Sequence, residues 1–227
     1  MDYLPRPGVP AKKRWRDRLI RLAQTHPEWL LGFADEVWWS RVTQPHLHAW
    51  ADASQPPRLV EQTVARKSKR TDAEPKALAC YGLLTRRSPP AADCQEAIWL
   101  RFVDGRPISG VTTQFLAWGA AQAAAQGQRA VLLIWDNASW HVSAEVRAWR
   151  RTHNRHVKQT GRGVRILACP LPTKSPWLNP IEPKWVHGKR AVVEPTRLLS
   201  APELEERICA YYACDRHPHL TITEQVA

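Results

Sequence analysis

The stretch RAVLLIWDNASWH, residues 129–141, decides how the chain folds. Its apolar run, Ala130 to Trp135, is too short for a helix and rich in branched side chains, so it predicts a strand buried on both faces. The run stops at Asp136, and a polar turn leads into a helical pattern from about Ser143. In an open α/β sheet, the carboxyl end of a central strand is where ligands bind. A lone carboxylate this close to a core is costly unless a cation or hydrogen bonds compensate it. Asp136 therefore needs partners, and two further acids, Asp35 and Glu182, are placed to share one.

Working outward, Ser109–Gln126 predicts a helix with Val111, Phe115, Trp118, Ala121 and Ala125 on one face and Gly127 ending it. A basic helix over 143–159 is closed by Gly161 and Gly163, and VRILACPLP (164–172) is a further buried strand. Asn179-Pro180-Ile181-Glu182 predicts a helix start with Asn179 as N-cap, Pro180 at N1 and Glu182 at N3. A Glu at N3 commonly closes a capping box, so Glu182 carries a structural reading beside the chemical one. The last helix covers 201–213.

Upstream, Arg14 to about His26 is helical, with Trp15, Leu19, Leu22 and Ala23 in one stripe. Trp29 to Phe33 predicts a strand that delivers Asp35 and Glu36 at or just past its end, with 37–43 continuing extended. Strand alternation turns Glu36 to the face opposite Asp35. LVEQTVA (59–65) and ALACYGLLT (77–85) read as antiparallel strands around a basic loop, and AIWLRFVD (97–104) as another strand ending at Gly105. Strands cluster early and alternate with helices later, the order of a mixed α/β sheet with helices against its faces. Residues 1–13 read as a basic, Pro-rich lead-in, 14–213 as one domain, and 214–227 as a tail without strong pattern.

The chain of 227 residues carries no apolar run near the length of about 18 residues that a membrane span needs, and its N-terminus lacks the apolar segment of a secretion signal. A cytoplasmic protein is expected. Thirty-three Lys and Arg against 21 Asp and Glu give a net charge of +12, a surplus that marks a polyanion partner. Candidate phosphate contacts are Arg66, Lys67, Lys69 and Arg70 in the basic loop, Arg150 and Arg151 on the basic helix, and Lys184, Lys189 and Arg190 beyond Glu182; for the loop and for the residues beyond Glu182 a solvated surface is the alternative. Of the 12 Trp, most fit packing roles, and some fit stacking on unpaired bases. Five Cys without close pairing read as reduced thiols.

Three carboxylates at one sheet edge repel one another unless cations hold them. Oxygen-only ligands suit Mg²⁺ or Mn²⁺. Two such ions, about 3.5–4 Å apart, activate a water or 3′-hydroxyl and stabilise the leaving oxygen at phosphorus.

The blocks FADE (33–36), LLIWDNASWH (132–141) and LPTKSPWLNPIEPKW (171–185) resemble the three signature blocks of DDE transposases, nearest to the insertion-sequence branch of the mariner-like superfamily. The resemblance covers about residues 14–213. It implies an RNase H-like fold, a mixed five-stranded sheet flanked by helices, with Asp35, Asp136 and Glu182 as catalytic metal ligands for Mg²⁺ (or Mn²⁺), two ions in all. It also implies cleavage at transposon ends and strand transfer into target DNA by a homodimer on DNA, in a nucleoid-associated protein. His141 matches the family's histidine after the second aspartate, which implies orienting phosphate or the attacking water; a structural hydrogen bond is its alternative. Asn137 reads as a cap of the following turn. Trp177 stands where the family often carries an acid, and the interval from Asp136 to Glu182 is longer than usual, with the excess around Arg150 to Arg162. The family's helix-turn-helix region is not in this sequence, which is the expectation for a second reading frame joined by frameshifting to an upstream part, or for a truncated remnant. The rival functions are an RNase H-like nuclease without strand transfer and a decayed, non-catalytic DNA-binding remnant.

Overall fold

The computed structural model describes residues 9–41, 73–87, 96–173, 175–192 and 197–221. Helix α1 (Val9–Gln24) leads into strand β1 (Trp29–Ser40), followed by β2 (Ala77–Arg87), β3 (Ala97–Asp104), α2 (Ser109–Ala125), β4 (Ala130–Trp135), α3 (Ala144–Thr160), β5 (Arg165–Pro170), α4 (Glu182–Ala191), α5 (Ala201–Tyr212) and β6 (Leu220–Thr221). One six-stranded sheet has the order β5-β4-β1-β2-β3-β6. β1, β2 and β3 are antiparallel neighbours, whereas β4 pairs parallel to β1 and β5 parallel to β4. Parallel partners need a crossover, and α3 supplies the one between β4 and β5.

All six residues of β4 are buried, as its unbroken apolar run requires. Leu132 and Ile134 join the core under α1, α4 and α5; Val131, Leu133 and Trp135 join the core under α2 and α3. α3 is capped by Ser143, whose hydroxyl accepts from Val146 N, and ended by Gly161 at φ +65°, a conformation that favours glycine.

Several expectations are corrected. β1 does not end near Phe33: it runs through Asp35 and Glu36 to Ser40, because β2 pairs with it over that whole length while β4 leaves it after Phe33. The sheet has six strands rather than five, since Leu220–Thr221, in the expected tail, pairs with the edge of β3. Helix α1 starts inside the expected lead-in, and its predicted stripe splits: Ala23 is buried, but Trp15 and Leu22 are exposed. On α2 the buried face is Val111, Phe115, Leu116, Ala120 and Ala123, with Ala121 and Ala125 outside it. The segment 59–65 and the basic residues Arg66, Lys67, Lys69 and Arg70 lie outside the described residues. Among the described residues, no helix is long and apolar enough to cross a membrane.

Candidate active site

The β1–β4 pairing ends at Phe33↔Ile134, so Asp35 and Asp136 each lie two residues beyond the last shared rung. They mark the point where the two strands part. The segment before Glu182 is pinned to the same point: Asn179 Nδ2 donates to the Ala34 carbonyl at 3.0 Å. Asn179 therefore bridges rather than caps, correcting the predicted helix start. Ile181 takes the N-cap position with no side-chain cap, and Glu182 is the first residue of α4. The capping reading of Glu182 falls with it, which leaves that carboxylate uncommitted to its own backbone.

Packing sets where α4 lies. Trp185 is buried, and its indole Nε1 donates to Asp35 Oδ2 at 2.8 Å. Its ring fills the slot over Gly82, the β2 residue opposite Asp35; a Cβ at Gly82 would collide with it. Trp39, Trp185 and Tyr212 pack edge to face with centroids 5.7–6.1 Å apart. Gly188 admits Tyr212 and Trp39 against the helix, and Tyr212 OH donates to the Lys184 carbonyl at 2.8 Å. None of Gly82, Trp185 or Gly188 was singled out from the sequence, because each matters through a partner far along the chain.

The opposite face of β1 is arranged differently. His141 is buried, stacks on Trp135 with centroids 4.4 Å apart, and donates from Nδ1 to Asp136 Oδ1 at 2.8 Å and from Nε2 to Glu36 Oε1 at 2.6 Å. Burial opposes the imidazolium, but the two carboxylates outweigh it and push His141 up to about 9. Asp136 moves the other way: burial raises it, and the bonds from His141 and from Ala138 N–H bring it below the usual carboxylate range. Asn137 does not cap the turn; its Nδ2 donates to the Leu171 carbonyl just past β5.

Asp35 has no such counter-charge. Burial, then Glu182, Glu36 and Asp136 push it up to about 8, against which only the Trp185 hydrogen bond acts. Glu182 is raised too, by burial and by Asp136, with Lys189 opposing. Asp136 thus acts on both other acids, and Glu182 on Asp35, across the lip. A pocket of about 300 Å³ opens there, lined by Asp136, Asn137, Ala138, Leu171, Pro172, Thr173, Ser175, Pro176, Asn179 and Glu182; Asp35 lies outside that lining. Among the described residues, no three Asp, Glu, His or Cys side chains stand close enough to hold an ion together. Asp35 is turned to Trp185 and Asp136 to His141 instead.

The sequence matches the DDE superfamily endonuclease family over residues 91–205, just over half of the chain. The chain belongs to that family. Among solved structures, the Mos1 transposase paired-end complex with left transposon end matches at TM-score 0.59 and 16% identity, covering 95% of this chain and 57% of that one. The catalytic domain of Mos1 mariner transposase matches at TM-score 0.52 and 14% identity, covering 95% of this chain and 85% of that domain. This DDE chain therefore has the RNase H-like fold of that catalytic domain and spans a little over half of the longer Mos1 chain. No curated protein sequence matches it at a significant level.

Of the predicted basic contacts, Arg151, Lys189 and Arg190 are exposed. Arg150 is half-buried, its guanidinium pKa lowered by burial and by Arg151 and Arg147. Lys184 is paired with Glu96 at 2.8 Å.

Proposed function

We propose that this DDE chain is a transposase catalytic domain that cleaves DNA at transposon ends and joins the freed end to target DNA, with Asp35, Asp136 and Glu182 as its metal ligands. The observation that carries the reading is the placement of Asp35: it is mostly buried beside the lip where β1 and β4 part, its side-chain partner is the neutral Trp185 indole, and Glu182, Glu36 and Asp136 add to the burial that raises it. Carboxylates that oppose one another's ionisation suit a hard divalent cation taking oxygen ligands, and Asp35 and Asp136 would turn from Trp185 and His141 to share one with Glu182. Bound there, Mg²⁺ or Mn²⁺ would activate the attacking oxygen and stabilise the leaving one. Mos1 structures with Mn and with Mg support that choice by likeness of fold.

The chain's own groups have separable tasks in this reading. His141 holds Asp136 by one oxygen, Trp185 holds Asp35 by one, and each leaves the second carboxylate oxygen for a ligand. Asn137 ties the loop after Asp136 to the end of β5. Arg150, Arg151, Lys184, Lys189 and Arg190, with Arg66, Lys67, Lys69 and Arg70, supply phosphate contacts to the DNA. A homodimer on DNA, joined to an upstream helix-turn-helix part and located with the nucleoid, completes the proposal.

The test supplies terminal DNA of the element with a pre-cut 3′-hydroxyl, target DNA, and Mg²⁺ or Mn²⁺. Joined products are expected. Hydrolysis without joining would instead mark a nuclease, and metal-independent binding without cleavage, unchanged by Asp136→Ala, a non-catalytic remnant.

A further inference from the structure

The turn between β5 and α4 carries a side chain that the carboxylate chemistry leaves unused. Trp177 is 69% exposed, the most exposed of the large hydrophobic side chains among the described residues. It sits in a 3₁₀ turn, Pro176–Leu178, whose neighbours are fixed. Leu178 is buried, Leu178 N–H donates to Ser175 O at 3.1 Å, and Asn179 N–H donates to Pro176 O at 2.8 Å. Arg16 on α1 donates to the Leu178 carbonyl at 2.7 Å and braces the turn from behind. The indole is therefore mounted on a rigid support, which lowers the ordering cost of any contact it makes.

That support is also the rim of the pocket. Ser175, Pro176 and Asn179 line it together with Asp136 and Glu182. Trp177 lies two residues from both Ser175 and Asn179, so its Cα is within about 7 Å of theirs. Ser175 and Asn179 are 4% and 2% exposed, yet Ser175 Oγ and Asn179 Oδ1 have no hydrogen-bond partner among the described residues. Buried polar atoms are nearly always paired, so two orphans in one pocket wall point to a polar occupant. An exposed indole next in sequence to the lining residue Pro176, and unpaired polar atoms in the wall, are the two halves of a nucleotide's chemistry.

We propose that Ser175, Trp177 and Asn179 form a subsite for an unpaired nucleotide next to the scissile phosphate, its base stacked on the Trp177 indole, with Ser175 Oγ donating to a phosphate oxygen and Asn179 Oδ1 accepting from the terminal 3′-hydroxyl. The inference rests on the DNA-processing reading above. A protein partner is the poorer fit: Trp177 is the one large apolar side chain that the turn exposes, since Leu178 points into the core, and a lone indole is not an apolar patch. Stacking needs a single ring face and tolerates any base.

The experiment measures binding of the full chain to a flush duplex and to the same duplex with a short unpaired 3′ end, in Ca²⁺, with 2-aminopurine in the unpaired stretch. Wild type is expected to prefer the unpaired end by about tenfold and to quench the 2-aminopurine, as base–aromatic stacking allows. Trp177→Ala should bring the ratio near one and abolish the quench, while Trp177→Phe keeps most of both. Equal binding of the two duplexes by wild type, or an unchanged ratio and quench in Trp177→Ala, overturns the subsite and leaves the DNA-processing reading standing. Failure of wild type to bind either duplex overturns both. Because Trp177 is exposed, its substitution leaves the core intact.

Discussion

Asp35 and Glu36 are neighbours on β1, carry the same charge, and face opposite sides of the sheet, yet the molecule treats them in opposite ways. On the Glu36 side the protein provides its own cation: His141, protonated and stacked on Trp135, bridges Glu36 to Asp136. On the Asp35 side it provides an indole N–H and no cation, and burial first, then Glu182, Glu36 and Asp136, push the carboxyl up to about 8. A buried charge that is paired is a structural device; one that is surrounded by its own sign awaits a counter-ion from outside. In the proposed function, the difference puts the chemistry on the Asp35 face and leaves the Glu36 face to support.

The largest effect that sharpens this contrast is on activity. Asp136→Asn or Glu182→Gln is expected to cut metal-dependent DNA cleavage by about 10³-fold or more, measured on supercoiled plasmid, with thermal stability retained in Glu182→Gln, whose carboxylate pairs with no buried cation among the described residues. Glu36→Gln, on the support side, should lose far less activity than either.

Next comes His141→Ala, which strands Glu36 in the core. Removing one partner of a buried ion pair costs about 3–5 kcal/mol. At roughly 2–4 °C of Tm per kcal/mol for a chain of this size, a drop of about 6 °C or more is expected in a calorimetric scan at pH 7. His141 is raised from 6.5 to about 9, so its contribution is whole below pH 6.5 and disappears as pH rises through 9. The gap between wild type and His141→Ala should therefore narrow above pH 9. A gap independent of pH would break the claim that the imidazolium is the counter-charge.

Gly82→Ala probes packing that reaches Asp35. The new methyl meets the Trp185 ring, and overpacking costs about 1–3 kcal/mol. Cleavage should fall along with Tm, because displacing Trp185 also frees Asp35; Gly119→Ala, where the added Cβ meets only ordinary contact at 3.9 Å, serves as the control with activity unchanged.

The smallest effect has the opposite sign. Asp35 is raised from 3.8 to about 8, so without divalent ions the folded state holds its proton, and this stabilisation, present at acid pH, is lost as pH rises from about 4 to 8. Asp35→Asn should therefore gain at least about 1 kcal/mol at pH 8 in chelator, seen as a higher Tm, while losing activity. A lower Tm would contradict the account of that face.

Much of the frame was legible in the sequence. β4 announced itself by six apolar residues in a row and proved buried throughout. Ser143 and Gly161 marked the ends of α3 through local chemistry alone. Asp35 and Asp136 were legible as acids beside a central strand. What escaped was decided by partners distant along the chain. β1 continues past its apolar half because β2 holds it, which no local pattern records. Asn179 has the sequence of an N-cap, but the Ala34 carbonyl, freed where β4 departs, claims its amide. The partner of His141 across the sheet is Glu36, 105 positions away, and periodicity gave only the face on which Glu36 would lie.

The central claim is that Asp35, Asp136 and Glu182 take up a divalent cation as a set. Titration of the metal-free chain with Mn²⁺, followed by the loss of the free-ion electron paramagnetic resonance signal, tests it most directly. Saturable binding in wild type that is lost or weakened at least about tenfold in each of Asp35→Asn, Asp136→Asn and Glu182→Gln is the predicted result. Mn²⁺ uptake by Asp35→Asn equal to that of wild type would contradict the account.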